Sequence, residues 1–378
     1  MGERIEYACW LHHIPGIGNK TIQKLVEYAG EEKEVYELSE KAAGQLLTKR
    51  QLQSFLLWQR TREPGRVYEQ IQRKRIRFLP CFSEQYPEQL RNIPDRPYGI
   101  YLAGKDIPKQ TGLTALIGAR RCSAYGERMA ERIGRELAEH GIGVISGMAR
   151  GVDGIGQWAA IEAGGYTVSV LGCGVDVCYP PENRRLYERC LSEGTLLSEY
   201  VPGTQPEAGN FPPRNRIISG LSANVIVVEA REKSGTFITV DMALEQGREV
   251  YAVPGRLTDT LSAGCMRLIS QGAQIFWSVE EMSECPGQKL KSEGTAGKES
   301  WEDAEKRLLQ NGLGDSLERE LYGLCDCYPR SLMELYEMLN QKEGGRKVPM
   351  EQVVQAIMNL NVCGMLTETG KNYYYRRV

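Results

Sequence analysis

The chain has 378 residues, of which 41% are hydrophobic and 25% are charged, and its formal net charge at pH 7 is -2. These values are typical of a soluble globular protein that is long enough for two or three domains. A net charge this close to zero provides no overall attraction to nucleic acids or membranes, so any site for anions must be local.

The cysteines and histidines predict no metal site and no cofactor. The 11 cysteines form no C-x-x-C pair, which indicates reduced thiols in a cytoplasmic protein. Cys325 and Cys327 are too close for an ordinary zinc pair, and the three histidines are not spaced as ligands. No apolar run is long enough to span a bilayer and the N-terminus lacks a signal-peptide core, so we expect no membrane segment.

Residues 1–80 are predicted to form a small helical domain of the helix-hairpin-helix or SAM-like type. Its segment His13–Lys20 contains two glycines and leads directly into a helical pattern. Two interpretations of this segment stay open: backbone amides at a helix start that approach a DNA phosphate, or a tight turn between helices. Gln51–Arg77 is also predicted to be helical.

Leu113–Ile117 is an apolar run that predicts a strand buried on both faces. Ser123 can cap the helix that follows, Gly141 can end that helix, and Ile142–Ile145 predicts a second strand. A strand, a helix and a strand in this order predict two parallel strands joined by a right-handed crossover. Ligands bind at the carboxyl ends of the strands in such sheets.

The same alternation continues through residues 81–284, which we interpret as an α/β domain with a Rossmann-like, doubly wound and mostly parallel sheet. Phe82–Gly104 is rich in proline and polar residues and is interpreted as a lead-in to the sheet. The further predicted strands are Tyr166–Leu171, Thr195–Ser198, Val225–Val228 and Glu249–Val253.

Residues 285–300 are rich in glycine, serine and lysine and are predicted to be a linker, and residues 301–378 a winged-helix domain. Its predicted helices are Leu317–Leu324, Leu332–Leu339 and Met350–Leu360, and its hairpin strands are Met365–Glu368 and Tyr373–Arg376. The stretch Met350–Ala356 contains no Lys or Arg. We therefore favour protein contact or scaffolding over the reading of duplex DNA by this domain.

Two familiar nucleotide sites are excluded by position. Gly141–Ser146 resembles part of a dinucleotide fingerprint, but it precedes a strand instead of following one. Gly297 and Lys298 are followed by Glu299, so they do not make a Walker A sequence. Neither an NAD site nor an ATP site is predicted.

Arginines lie at the predicted strand ends together with glycine, serine and an amide. They are Arg120, Arg121, Arg150, Arg214 and Arg216, and Asn215 lies between the last two. Guanidinium groups pair with phosphate oxygens, and small residues let backbone amides join them. For any single arginine the alternative is a surface charge or a structural ion pair with Asp153, Asp176 or Glu229, but convergence of several loops favours a phosphate ligand.

Ordered motifs between about Tyr86 and Phe276 closely resemble the DNA-processing protein A family (DprA, also called Smf). They are Gly118-x-Arg120-x-x-Ser123-x-Tyr125-Gly126, Ser146-Gly147-x-Ala149-Arg150-Gly151-x-Asp153, Tyr179-Pro180-x-x-Asn183, Ser198-Glu199-Tyr200, Phe211-Pro212-x-Arg214-Asn215-Arg216, Val228-Glu229-Ala230, Ser234-Gly235-Thr236 and Ala252-Val253-Pro254-Gly255. The resemblance implies a domain that binds single-stranded DNA, forms a homodimer and recruits the RecA recombinase during natural transformation and recombination. It implies no catalytic reaction.

Site residues follow from the same resemblance. Gly118, Arg120 and Ser123 match a phosphate-gripping turn, Arg150 and Asp153 match a second loop, and Arg214, Asn215 and Arg216 match a third. The full set of predicted DNA-binding residues is Gly118, Arg120, Arg121, Ser123, Arg150, Asp153, Arg184, Phe211, Arg214, Asn215, Arg216, Ser234 and Gly235.

The chain departs from the family pattern in two places. Gln157 stands where relatives usually have a histidine, which argues against a required imidazole. Pro181 and Glu182 follow Tyr179-Pro180, where relatives often have a lysine that contacts DNA. Arg184 and Arg185 are the nearby candidates to replace it, and the sequence does not choose between them.

An enzyme is the alternative from another functional class. Phosphoribohydrolases that cleave nucleotides resemble this fold and use a P-G-G-x-G-T-x-x-E loop. The corresponding loop here, Glu232–Thr239, has Thr239 in the position of the glutamate, and no nucleophile and base replace it.

The mechanism that we expect is a grip on about four consecutive phosphates of one strand, with bases stacked on aromatic rings. The rings are Tyr125, Tyr179, Tyr200 and Phe211. A duplex is disfavoured because its bases are already stacked and its backbone is stiff. The dimer is expected to form through the apolar segment Ala263–Ala273, with Met266, Leu268 and Ile269.

Overall fold

A computed structural model describes residues 2–108, 112–282, 317–325, 329–341, 347–368 and 372–376. The chain divides into two compact units, Met1–Leu290 and Lys291–Val378. The predicted linker at residues 285–300 lies outside the described residues. The finer division at residue 80 stays a prediction. In the described ranges, no helix has both the length and the hydropathy that a membrane span requires.

The first unit begins with helices, as predicted. They are α1 (Gly2–His12), α2 (Asn19–Ala29), α3 (Glu32–Tyr36), α4 (Glu40–Leu46), α5 (Lys49–Thr61) and α6 (Pro64–Arg73). The helical prediction over Gln51–Arg77 holds for α5 and α6, but the helix is interrupted because Arg62 is extended and Pro64 starts a new helix, and Arg77 already belongs to a strand. Proline lacks the amide that an ongoing helix needs but fits a first turn.

Nine strands of the described residues form one sheet in the order β1-β2-β6-β5-β4-β3-β7-β8-β9. They are β1 (Arg77–Pro80), β2 (Gly99–Gly104), β3 (Leu113–Ile117), β4 (Gly143–Ser146), β5 (Thr167–Val170), β6 (Thr195–Ser198), β7 (Asn224–Val227), β8 (Glu249–Ala252) and β9 (Gln274–Ile275). From β6 to β9 every pairing is parallel, so the doubly wound, mostly parallel sheet is confirmed.

The antiparallel strands β1 and β2 were not predicted. They pair with each other, and β2 also pairs with β6. The interpretation of Phe82–Gly104 as a lead-in is therefore wrong at its carboxyl end, where β2 lies. The prolines and polar residues that precede β2 concealed its short apolar run in the sequence.

Helices cover the sheet on two faces. They are α7 (Glu88–Arg91), α8 (Ala124–Glu139), α9 (Val152–Glu162), α10 (Arg184–Glu193), α11 (Phe211–Leu221), α12 (Thr236–Glu245) and α13 (Ala263–Ser270). Alternation along β3 decides the partners: Ala115 packs in the cluster that contains Ile217 of α11, whereas Leu116 packs with Ile133 of α8. Both faces of the strand are thus buried, as its apolar composition predicts.

Strand β3 lies between β4 and β7, so the chain order reverses at this point of the sheet. The segments that leave β3 and β7 turn to opposite faces, and a crevice opens between them at the carboxyl edge. Such a reversal is the usual place of a ligand site in open α/β sheets.

The N-terminal helices share a core with the first two strands. His12 of α1 contacts the rings of Phe78, Tyr98 and Tyr101. The buried Glu32 accepts hydrogen bonds from Arg4 Nε at 2.7 Å and from the Tyr98 hydroxyl at 2.9 Å. The helices are therefore fixed to the sheet by apolar packing and by a buried polar contact.

The second unit contains three described helices and a small antiparallel sheet. These are α14 (Leu317–Leu324), α15 (Leu332–Asn340), α16 (Met350–Val362), β10 (Arg330–Ser331), β11 (Leu366–Glu368) and β12 (Tyr373–Arg376), with strand order β10-β12-β11. Leu321, Leu335, Val353 and Leu360 form its core. The elements agree with the sequence, and their interpretation as a winged helix stays a prediction.

Candidate functional site

A cavity of about 600 Å³ lies at the carboxyl ends of β3 and β7. It brings together the predicted site residues Gly118, Arg120, Arg121, Asp153, Phe211, Arg214, Asn215, Ser234 and Gly235. A small pocket of about 40 Å³ shares Arg120, Phe211 and Arg214 with it and adds Arg150 and Tyr179. Residues from distant parts of the sequence therefore meet where the reversal of strand order predicts a ligand.

Four basic side chains of the cavity have no acidic partner among the residues that the structure describes. Arg120 and Arg121 follow β3, and Arg231 and Lys233 lie in the loop between β7 and α12. In the described part of the chain, no carboxylate oxygen comes within ion-pair distance of any of the four. The cavity is therefore lined with uncompensated positive charge, although the whole chain is nearly neutral.

Arg214 contributes a positive charge whose position is fixed by hydrogen bonds to backbone carbonyl groups. Its side chain is buried, and Nη1 donates to the carbonyl oxygens of Gly147, at 3.0 Å, and of Val170. Burial lowers the pKa of Arg214 to about 10, so the group remains a cation at neutral pH. Asp153 is also buried, which raises its pKa, and it accepts a hydrogen bond from the Gly147 amide at 3.2 Å.

Phe211 and Tyr179 form an aromatic pair beside the arginines. Their ring centroids are 5.5 Å apart with an interplanar angle of 37°. The guanidinium carbons of Arg120 and Arg214 are each 5.8 Å from the centroid of Phe211. Gly172 leaves room for this ring, since a Cβ at position 172 would lie 2.8 Å from Phe211 Cδ1. The pair offers a ring surface on which a base can stack.

The other predicted rings are placed differently. The Tyr125 hydroxyl donates to the Pro254 carbonyl at 2.9 Å, and the Tyr200 hydroxyl donates to the Asn210 carbonyl at 3.1 Å. Neither ring lines the cavity or the small pocket. Tyr179 and Phe211 are therefore the stacking candidates at this site.

The structure does not bring Ser123, Arg184 and Arg216 into the cavity. The Ser123 hydroxyl accepts from the Gly126 amide at 3.1 Å and thereby caps α8. Arg184 is exposed and bonds to Glu188 of its own helix at 2.9 Å. Arg216 borders a separate cavity, where its Nη2 lies 2.8 Å from both carboxylate oxygens of Glu199. These contacts commit the three side chains to partners within the protein.

The turn after β3 does not offer the amino end of α8 to a ligand. Glu229 accepts hydrogen bonds from the Ser123 amide at 2.8 Å and from its hydroxyl at 2.5 Å. A Cβ at Gly126 would lie 2.3 Å from Glu229 Oε2, so only glycine leaves space for this carboxylate. An anion of the protein already occupies the positive end of the helix.

Gln157, which replaces the family's usual histidine, has a structural role. It is fully buried, and its Oε1 accepts from the Met148 amide at 3.1 Å. Its Nε2 donates to Ser169 Oγ at 2.8 Å and to the Val168 carbonyl at 3.0 Å. These bonds hold the loop that carries Arg150 against β5.

Sequence reasoning missed Arg231 and Lys233. Both follow the apolar run of β7 at the same sheet edge as the arginines after β3, but the adjacent Glu232 makes the loop look like a mixed surface segment in the sequence. Thr239, at the position of the phosphoribohydrolase glutamate, is buried and lines the same cavity. Across the described residues, no group of three His, Cys, Asp or Glu side chains is placed to hold a metal ion.

Comparison with known proteins gives a consistent set of similarities. The profile of a family described as DNA recombination-mediator protein A matches residues 77–286. The DNA processing protein DprA of Bacillus subtilis is 41% identical over 220 residues, which cover 58% of this chain and 74% of that protein. Protein Smf of a Synechocystis species is 32% identical over 285 residues, which cover 73% of this chain and 72% of that protein. The X-ray structure of DNA processing protein A from Streptococcus pneumoniae matches with a TM-score of 0.63 at 34% identity, covering 72% of this chain and 95% of that chain.

Proposed function

The chain belongs to the DNA recombination-mediator protein A family, and on this premise we propose that it binds single-stranded DNA without sequence specificity. One observation carries the proposal: Arg120, Arg121, Arg231 and Lys233 line one cavity, and no carboxylate of the described residues pairs with them. Four such cations around a concave surface favour an anion of several charges. A strand of DNA supplies one phosphate per nucleotide and fits this requirement.

The two kinds of group at the site supply different parts of the affinity. The cations bind phosphates regardless of base and make the affinity dependent on salt. Stacking of one base on the aromatic pair of Tyr179 and Phe211 adds about 1–3 kcal/mol, again with little dependence on sequence. Backbone amides of the loop Ser234–Gly235 are at the cavity wall and can join the cations in holding phosphate oxygens.

The same arrangement favours a single strand over a duplex. Phe211 and Tyr179 can stack only with a base whose face is free, and duplex bases already cover each other. A flexible strand can also bend into a cavity of about 600 Å³ at a sheet edge, whereas a stiff duplex cannot follow it.

We extend the proposal to the role that membership of this family implies. The protein would load the RecA recombinase onto the bound strand, during DNA uptake or recombination in the cytoplasm, without catalysing a reaction. It would act as a homodimer through Ala263–Ala273. The segment includes α13, where Met266 and Ile269 are half-buried, and Ile275 and Trp277 beyond it are 53% and 63% exposed. A dimer would join two cavities and lengthen the track for one strand.

The test is fluorescence anisotropy of labelled oligo-dT over a series of salt concentrations, with duplex DNA as competitor. For about four phosphates, log K should fall against log salt with a slope of about -3. Arg120→Ala and Lys233→Ala should each weaken binding and make the slope shallower by about 0.7. Arg73→Ala is the matched control, because this exposed arginine is paired with Glu69 on an N-terminal helix and lies outside the cavity.

Two results would overturn the proposal. One is the absence of oligo-dT binding by the wild-type protein at low salt. The other is an equal loss of affinity in Arg120→Ala and Arg73→Ala, which would mean that the total charge determines the affinity and the position of the charge does not. Release of a free base from nucleoside monophosphates would instead support the phosphoribohydrolase alternative.

A further inference from the structure

Arg150 differs from the other cations at the candidate site. The described cations that line the cavity and the small pocket are Arg120, Arg121, Arg150, Arg214, Arg231 and Lys233. Of these, only Arg150 lies within 4 Å of a carboxylate oxygen, with its Nη2 at 2.6 Å from Glu182 Oε1. The difference calls for a reason that is specific to Arg150.

The local structure holds Glu182 in reach of Arg150. Glu182 lies in a single 3₁₀ turn, Pro181–Asn183, that follows Tyr179. Within that turn, Asn183 Nδ2 donates to the carbonyls of Met148 and Ala149 at 2.8 and 3.0 Å. The turn is thereby tied to the loop that ends in Arg150. A hydrogen bond from Arg150 lowers the pKa of Glu182, so this carboxyl is an anion at neutral pH.

The pair is placed where an incoming strand would meet it. Both side chains are more than half exposed, at 58% for Arg150 and 57% for Glu182. A carboxylate and a phosphate offer a guanidinium the same kind of paired oxygen acceptors. Exposed ion pairs are also weak, so an anion held in place by neighbouring contacts can displace one partner.

We propose that Glu182 is an internal substitute for a DNA phosphate. In the protein without DNA its carboxylate pairs with Arg150, and this pair breaks when a DNA phosphate reaches Arg150 at the small pocket. The inference rests on the proposed function and adds a residue that sets its affinity. A strand already bound by the other five cations presents its next phosphate at a high effective concentration, which lets it displace the carboxylate. A lone phosphate has no such advantage, so Glu182 favours a strand over a single phosphate group.

The test compares Glu182→Gln with Glu188→Gln in the full-length chain. Both substitutions remove one negative charge from an exposed ion pair, but Glu188 pairs with Arg184 outside the pocket. Glu182→Gln should bind oligo-dT about two- to fivefold more tightly than Glu188→Gln. This range corresponds to the free energy of one exposed ion pair, which DNA no longer has to break. The gain should vanish in an Arg150→Ala background, because the carboxylate then has no cation to occupy.

The outcomes separate the two proposals. Equal affinities of Glu182→Gln and Glu188→Gln, with binding by the wild type, overturn the inference and leave the proposed function in place. A gain that persists unchanged in the Arg150→Ala background also overturns it, because it assigns the effect to general charge. Absence of binding by both the wild type and Glu182→Gln overturns the proposed function and the inference together.

Discussion

Arg216 and Glu199 form a buried ion pair in which one guanidinium nitrogen lies 2.8 Å from both carboxylate oxygens. Arg216 also donates through Nε to the Asp95 carbonyl at 2.8 Å, and Glu199 accepts from Asn19 of α2. The pair thus links α11, which carries Phe211 and Arg214, to the start of an N-terminal helix. We interpret Arg216 as a residue that positions α11 instead of one that binds phosphate.

This interpretation predicts the behaviour of Arg216→Gln. The protein should lose up to about 3–5 kcal/mol of unfolding free energy, because a largely buried carboxylate remains without its cation. The double variant with Glu199→Gln should recover part of that loss. Urea unfolding measures both, and Arg184→Gln should change stability little because its ion pair is exposed.

A second measurement separates positioning from phosphate contact. Under conditions in which Arg216→Gln is fully folded, its affinity for oligo-dT should be lower than that of the wild type. The slope of log K against log salt should stay at the wild-type value. A slope shallower by about 0.7, as expected for Arg120→Ala, would show instead that Arg216 contacts a phosphate.

The comparison of Arg216 with Arg120 also shows how far the sequence alone can lead. The alternation of strands and helices follows from apolar runs and glycines, because these act through local backbone geometry and burial. This pattern predicts that Arg120, Arg121, Arg150 and Arg214 lie at one edge of the sheet, and they do. The pattern does not predict that Glu199, which follows β6, reaches Arg216, because pairing between distant side chains depends on the assembled fold.

The positions of Arg231, Lys233 and strand β2 are concealed in the sequence. Arg231 and Lys233 lie beside Glu232, so their charges look like part of an ordinary mixed surface loop in the sequence. Only the fold shows that both line the cavity and that no carboxylate in the described ranges pairs with them. Strand β2 was missed for a local reason, since its apolar run is short and follows a segment rich in proline.

The paired histidines His12 and His13 predict loss of stability in acid. Burial lowers the pKa of His12 to about 3 and of His13 to about 4, while an unfolded histidine titrates near 6.5. The unfolded chain therefore binds more protons below pH 6.5, and folding stability falls as the pH decreases from 6.5 towards 4. The slope is at most about 1.4 kcal/mol per pH unit for each histidine.

The contacts of these two rings suggest the control. His12 Nδ1 lies 3.0 Å from the Tyr101 hydroxyl, and His13 Nδ1 donates to the Cys9 carbonyl at 2.7 Å. Urea unfolding at pH 7.0 and pH 5.5 should show the loss for the wild type and a smaller loss for His13→Gln, whose amide can keep the bond. Identical pH dependence in the two proteins would assign the acid sensitivity to other groups.

Phe211 is predicted to contribute affinity without contributing to the salt dependence. Phe211→Ala should weaken oligo-dT binding by about 1–3 kcal/mol, since a stacking surface is lost, and the salt slope should not change. Phe211→Tyr keeps the ring and should bind nearly as well as the wild type. A shallower slope in Phe211→Ala would indicate that the ring acts by holding Arg120 in place.

Gly172 provides an independent test of the same ring. The Cβ of Gly172→Ala would lie 2.8 Å from Phe211 Cδ1, so the ring must move. We expect weaker oligo-dT binding with an unchanged salt slope, as for Phe211→Ala, although no charge or ring is removed. Gly209→Ala is the control, because a Cβ at that position has no atom within 4 Å.

The edge of the sheet beyond β8 is predicted to hold two copies of the chain together. Ile269 of α13 is half-buried, and Ile275 of β9 is 53% exposed at this edge. Ile269→Arg and Ile275→Arg should each yield monomers by light scattering, because an interface cannot bury an unpaired guanidinium. They should also bind long oligo-dT more weakly while keeping their affinity for short oligo-dT, since only a dimer joins two cavities. Ile275→Arg guards against a folding defect, because its side chain is mostly outside the core; if both variants fold and remain dimeric, the interface lies elsewhere.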